Sequence, residues 1–189
     1  MNKSEITKKL ILDSANELFY HQGYRNTGFI DIQNKTGISK GNITYHFKNK
    51  QKILEGIVSQ RVERIKISFE EITNNSKSSK EALSNFLTSL LENSSEVKSF
   101  GCPMGTLISE VAKHDKELHK ITAVMFQTYI NWIEENLVRM GRKRKQASEV
   151  AASLLARVQG VALITHTLKD EKFFKKEIEK INLEVIGNI

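Results

Sequence analysis

Apolar residues recur along the chain at three- and four-residue spacing. Ile6, Leu10, Ala15, Leu18 and Phe19 form one stripe, and that spacing predicts an amphipathic helix over residues 3–20 with Gly23 as its stop. Thr27 can then cap a short helix carrying Phe29, Ile32 and Thr36 on one side, which Gly37 interrupts. Ser39 can cap a second short helix through Phe47, with Ile43 and Phe47 facing inward. Asn49 opens a long helix in which Ile53, Ile57 or Val58, Arg61, Ile65, Phe69 and Ile72 keep one stripe for about six turns. Ser78 with Glu81 fits a capping box before Leu83, Phe86, Leu87, Leu90 and Leu91. Residues 93–101 read as a break. Leu107, Ile108 and Val111 mark a short helix, and Leu118, Ile121, Met125, Tyr129, Trp132, Ile133 and Leu137 mark a long one. After a basic break at 141–145 comes the most uniformly apolar stripe, Ala147, Val150, Ala151, Leu154, Leu155, Val158, Val161 and Ala162. Its small residues permit close helix approach. Asp170 can cap a last helix with Phe173, Phe174, Ile178, Ile181 and Val185. The pattern predicts nine helices and an all-α fold; no useful segment alternates with a period of two.

Composition sharpens this picture at three points. One proline and ten glycines force few breaks, in keeping with long helices. One cysteine, Cys102, rules out an internal disulfide framework and fits a reducing compartment. No uninterrupted apolar run reaches the ~18–20 residues of a membrane span, and no signal-like segment follows the polar start, so a cytoplasmic protein without a membrane partner is expected. The net charge is +7. Residues 1–60 carry nine basic and five acidic side chains. Lys35, Lys40, Lys48, Lys50 and Lys52 occupy a stretch with one histidine and no carboxylate. A local positive field of this kind suits a polyanion.

Two short helices about a tight glycine turn make a helix-turn-helix. The run Asp31-Ile32, Gly37-Ile38-Ser39-Lys40-Gly41, Tyr45-His46-Phe47 and Lys50 resembles the DNA-binding head of the TetR family of transcriptional regulators; Ala15, Leu18-Phe19 and Gly23-Tyr24 fit its first helix. The sequence differs from the family pattern in having Thr44 at a usual tyrosine, Gly28 at a usual serine or threonine, and Gln33 at a usual small residue. On the recognition helix Lys40, Asn42 and Thr44 have the chemistry to read guanine, adenine and a thymine methyl, while Gly41 allows close backbone approach. Thr27, Tyr45, His46 and Lys50 are expected at phosphates, which fix register rather than sequence. The resemblance implies a DNA-binding domain over residues 1–48 and a ligand-binding and dimerisation domain over 49–189. It also implies a homodimer through the last two helices on a palindromic double-stranded operator, and repression relieved by a small-molecule inducer.

The run Gly101-Cys102-Pro103-Met104-Gly105-Thr106-Leu107 through Glu110-Val111 resembles a Gly-Cys segment in a subset of the family, among them NemR-type sensors of electrophiles and LmrA/YxaF-type regulators that bind flat aromatic compounds. Where the NemR type has a partner lysine, the spacing from Gly160 gives His166. Cys102 is either a thiol sensor, which needs an accessible thiolate, or a small buried apolar residue. Phe100, Cys102, Met104, Leu107, Met125, Phe126, Tyr129, Trp132, Val158 and His166 are candidate walls of an apolar, aromatic ligand pocket. No catalytic motif, cofactor motif or metal set is present; Glu110 and His114 stand at i, i+4, but two ligands make a poor metal site. An architectural DNA-binding protein without a ligand, and a thiol-dependent enzyme using Cys102 and His166, are the alternatives.

Overall fold

The computed structural model describes residues 2–112 and 116–187. Among them every regular element is helical: α1 (Lys3–Gln22), α2 (Phe29–Thr36), α3 (Lys40–His46), α4 (Lys50–Asn74), α5 (Ser79–Ser89), α6 (Ser94–Phe100), α7 (Gly105–Ala112), α8 (Lys116–Arg139), α9 (Arg144–Leu168) and α10 (Glu171–Gly187). The nine helices expected from periodicity all form. The tenth, α6, occupies part of the segment read as a break, after a single 3-10 turn at Leu90–Asn93. Its sequence is too polar to announce a helix, with Val97 its one buried apolar side chain. Contacts with α10 hold it: Ser94 Oγ donates to Glu171 at 3.0 Å and Lys98 pairs with Glu171 at 3.2 Å. Hydrogen bonds from Lys175, Ser94 and Lys98 hold the Glu171 carboxyl well down, at about 2.

The caps follow the sequence closely. Asn2 and Glu5 exchange side-chain and backbone bonds at the start of α1, at 2.8 and 2.9 Å. Ser39 caps α3, Asn49 accepts from the Lys52 amide at 2.9 Å, and Asp170 accepts from the Phe173 amide at 3.0 Å. Ser78 accepts from the Glu81 amide, but the Glu81 carboxylate reaches one residue further back than a capping box requires, to the Lys77 amide. The N-cap of α2 is Gly28, not Thr27; with no side chain to offer, its amide is held by Asp31 at 2.7 Å.

The chain forms two compact units. One holds the residues up to Val62 together with Thr106–Val124; the other holds Glu63–Gly105 and the residues from Met125 onward. In the first, Ile11, Ala15, Phe19, Ile32, Ile43, Ile53 and Leu54 are buried. In the second, Leu83, Leu87, Ile133, Leu137, Ala147, Ala151, Leu154, Phe174, Ile178 and Ile181 join one core. Phe69, Phe86, Tyr129 and Trp132 pack there as an aromatic group, with Phe69 and Trp132 stacked at 4.3 Å and 7°. Helix α9 is apolar enough, by length and composition, to cross a membrane. Its apolarity has a local use, since Ala147, Ala151, Leu154, Val158, Val161 and Ala162 belong to the second unit's core and Leu155 is buried as well.

Gly37 ends α2 at φ 71°, and its amide returns to the Gln33 carbonyl at 2.8 Å. A Cβ there would touch nothing within 4 Å. The cost of a side chain is therefore purely conformational. Gly37→Ala should destabilise the chain by about 1 kcal/mol, read as a lower urea midpoint at unchanged m-value.

Candidate functional site

The helix-turn-helix rests on two fully buried isoleucines, Ile32 of α2 and Ile43 of α3. Gln33 braces the pair: its side-chain oxygen accepts from the Lys40 amide at 2.9 Å, at the first residue of α3. A small side chain could not reach that amide. Thr36 steadies the turn, donating to the Ile32 carbonyl at 2.7 Å and accepting from the Ile38 amide at 3.1 Å. With one side of α3 fixed, Lys40, Gly41, Asn42 and Tyr45 stand in solvent, Tyr45 at 82 % exposure. His46 is half-buried and meets the Tyr45 ring edge-on at 5.2 Å. Thr44 is half-buried, and its hydroxyl lies 3.0 Å from both the Lys40 and the Gly41 carbonyls.

Two of the residues expected at phosphates are internal to the head. Thr27 is 1 % exposed; its hydroxyl donates to the Gly23 carbonyl at 2.8 Å and accepts from Gln22 at 3.2 Å. Lys50 points its ammonium at the turn between α1 and α2. It donates to the carbonyls of Tyr24 at 2.8 Å and Thr27 at 3.0 Å, with Arg25 at 3.4 Å, and lies 4.4 Å from the centre of the Tyr24 ring. Burial lowers its pKa, against the opposing fields of Glu110 and Asp31. Among the other lysines of the stretch, Lys35 pairs with Glu17 and Lys52 with Glu55. Lys40 and Lys48 are exposed and carry no ion pair among the described residues.

The same turn is held by Glu110 of α7, which the sequence places at the end of the distinctive Gly-Cys run and in a weak metal pair with His114. The Glu110 carboxylate accepts from the Tyr24 amide at 2.8 Å and the Arg25 amide at 2.7 Å. Its suggested partner His114 lies outside the described residues. No group of three metal-ligating side chains occurs among the described residues.

The second unit contains an apolar cavity of about 150 Å³. Four of the ten expected wall residues line it: Cys102, Met104, Tyr129 and Val158. Phe86, Leu90, Val97, Leu155, Gln159, Ala162 and Phe174 complete most of the wall. Gln159 is a polar residue beside the apolar stripe of α9, a signal the stripe alone does not single out; the other walls look like ordinary core positions. The remaining expected residues do not line the cavity. Leu107 and Met125 are buried, Met125 completely, and Phe100 and Phe126 are half-buried elsewhere. Trp132 donates to Thr73 at 3.3 Å and lines a separate open groove of about 480 Å³ rimmed by Lys66, Glu70, Glu135 and Arg139. His166 Nδ1 lies 3.3 Å from the Lys98 carbonyl and 3.3 Å from Lys169. The Cys102 sulfur instead accepts from the Gly105 amide and from Gln159 Nε2, both at 3.4 Å. Burial pushes the Tyr129 phenol up to about 12, and the Cys102 charge adds to the shift.

A helix-turn-helix with an exposed face on its second helix, in a chain whose described residues form helices alone, is the architecture of a DNA-binding transcriptional regulator. Residues 11–57 match the family described as bacterial regulatory proteins of the tetR family. Residues 79–179 match the C-terminal domain of LmrA/YxaF-like transcriptional regulators. The chain belongs to the TetR family, with an LmrA/YxaF-like C-terminal domain. It is 27% identical to an HTH-type transcriptional regulator of the lacX 3′ region in Lactococcus lactis subsp. lactis, over 96% of this chain and 95% of that one. It is 26% identical to the HTH-type transcriptional regulator LmrA of Bacillus subtilis, over 87% of this chain and 88% of that one. A TetR transcriptional regulator from Legionella pneumophila has the same fold, with a TM-score of 0.84 at 24% identity over 94% of this chain and 96% of that one.

Lys50→Met keeps a long apolar stem near the Tyr24 ring and deletes the ammonium. The carbonyls it leaves are partly reached by water, which limits the loss. The variant should be less stable by about 1 kcal/mol in urea denaturation.

Proposed function

We propose that this regulator is a repressor whose dimer holds a palindromic operator and lets go when a small apolar compound fills the cavity of the second unit. The observation that carries the reading is the bare row Lys40, Gly41, Asn42 and Tyr45 on a helix locked from behind by Ile32, Ile43 and Gln33. A rigid helix with exposed donors and acceptors is what major-groove reading requires. Lys40 and Asn42 read base edges, with bidentate geometries available to guanine and adenine respectively. Tyr45, His46 and Lys48 meet the phosphates. Residues 1–48 act as the reading head and residues 49–189 as the ligand-binding and dimerisation part.

Dimerisation is supported by the outer face of α9. Ala152, Ala156 and Gly160 are exposed at four-residue spacing, followed by Leu163 and Leu168, both 66 % exposed; Leu183 of α10 is exposed as well. A Cβ on Gly160 would meet nothing within 4 Å. Small residues in line with leucines suit the close approach of a second copy. Two heads related by a two-fold axis would then meet successive major-groove half-sites, about 34–36 Å apart.

The inducer reading is supported by the cavity's composition. Met104, Tyr129, Val158 and Phe174 offer apolar and polarisable walls, and Gln159 offers one amide. Its volume suits a compound of about one aromatic ring. A coupling of roughly 1–3 kcal/mol between cavity and head would weaken operator binding roughly 5- to 150-fold.

Asn42→Ala should change the ranking of operator variants in a competitive binding selection; an unchanged ranking would refute base reading by Asn42. Lys48→Ala, by contrast, should weaken all duplexes alike and make the salt dependence of log K for the dimer shallower by about two, one for each head. Leu163→Asp should sediment as a monomer at micromolar concentration and lose cooperative binding to a two-half-site duplex; a stable dimer would refute the assigned interface.

A further inference from the structure

We infer that Gln33 grips a phosphate of the bound duplex through Nε2 while its Oε1 holds the start of α3, so that one carboxamide sets the reading helix against the DNA backbone. This contact rests on the proposed reading by α3 and adds a partner from the helix before it. Gln33 carries both sides of the turn. Its main-chain carbonyl accepts from the Gly37 amide at 2.8 Å, where α2 ends, and its side-chain oxygen accepts from the Lys40 amide at 2.9 Å, where α3 begins. A backbone amide only donates, so the carboxamide is fixed with its oxygen at Lys40 and its NH2 group turned from it. Nε2 has no acceptor among the described residues, and it is not buried. Asn34, Ser39 and Lys40 around it are exposed. The NH2 group therefore presents its donors at the open rim of the turn.

The chemistry of that rim selects a phosphate oxygen. An NH2 group needs an acceptor, and a phosphate oxygen accepts with a full charge behind it. The first helix of a helix-turn-helix crosses the backbone while the second enters the groove. An α2 atom at the mouth of α3 thus stands over phosphates, the usual partners of side-chain amides that fix register. No acid competes: Asp31 is occupied by the Gly28 amide at 2.7 Å, and no carboxylate occurs between Lys35 and Lys52. The carboxamide also acts as a relay. The Lys40 amide is one of the N-terminal donors that a helix cannot satisfy internally. Gln33 takes up that donor and offers another in its place, further out. The two bonds form one chain, from the Lys40 amide through the carboxamide to the phosphate, and each polarises the other. An alanine at 33 would leave the Lys40 amide to water and reach no phosphate.

Gln33→Glu separates the two bonds. Its carboxylate still accepts from the Lys40 amide, but the atom facing the phosphate becomes a second charged oxygen. Gln33→Ala loses both bonds. Affinity is read by fluorescence anisotropy on a duplex selected from a random pool by the wild-type protein. It should fall from wild type to Gln33→Ala and again to Gln33→Glu, by about tenfold at each step, while Gln33→Glu keeps the wild-type urea midpoint. A brace without a phosphate contact would leave Gln33→Glu level with wild type, and that result would overturn the inference. Duplexes carrying one neutral methylphosphonate linkage, placed at each phosphate in turn, set a local contact apart from general repulsion. At one linkage per half-site wild type should lose about tenfold and Gln33→Ala less than about twofold. Equal losses for both proteins at every linkage would refute the contact and leave reading by α3 standing. If wild type enriches no sequence from the pool, reading by α3 fails and the Gln33 contact fails with it. Should a variant not fold, the nitrogen-15 spectrum of wild type decides. The Gln33 Nε2 protons should move downfield on the selected duplex and return on the duplex with one particular methylphosphonate; protons that stay at their free position would overturn the contact.

Discussion

The turn between α1 and α2 presents backbone groups that no helix satisfies, and two oppositely charged side chains from distant parts of the sequence satisfy them. Lys50 takes carbonyls and Glu110 takes amides. Neither could be replaced by the other, since an ammonium only donates and a carboxylate only accepts. The arrangement ties α1, α2, the first turn of α4 and the middle of α7 into one unit, and the orientation of the reading helix follows from it. A hydrophobic core alone would not fix that orientation, because burial is non-directional while these bonds are not.

The same economy governs the charge of the head. Five lysines in a carboxylate-free stretch look like a single polyanion-binding surface. In the fold, Lys35 and Lys52 are matched by Glu17 and Glu55, and Lys50 is turned inward. Of the five, Lys40 and Lys48 are left exposed and without an ion pair among the described residues. Charge runs in sequence thus divide among structural, neutralised and available roles, and only packing tells them apart.

The helices were legible because their stripes are long and their caps are explicit: Ser39, Asn49 and Asp170 all hold the amides their spacing announces. Helix α6 was not legible, since its stability comes from Glu171, more than seventy residues away. The exposed face of α3 was legible in Lys40, Asn42 and Tyr45, because local periodicity fixes which side of a short helix is bare. Thr27 was not, as a polar residue in a turn gives no sign of whether its hydroxyl faces water or a carbonyl. The cavity was half legible. Cys102 and Met104 belong to a distinctive run, but Phe86 and Phe174 are indistinguishable by type from core neighbours such as Phe69. Glu110 stood out in its run, but its role was not legible, because its partners are main-chain amides that no side-chain pattern records.

The Thr44 hydroxyl lies within hydrogen-bond reach of two carbonyls of its own helix. Under the proposed mode of reading, each head is left with Lys40 and Asn42 as its outward side-chain hydrogen-bonders toward base edges. Each correctly read pair contributes about 1–3 kcal/mol of discrimination, so two per head give a sequence code of low information content. Selectivity among the many competing sites of a chromosome must then draw on half-site spacing and on how readily the intervening duplex bends or narrows. A regulator built this way would tolerate drift in its binding sites, and several loosely related promoters could come under its control without any change in the protein.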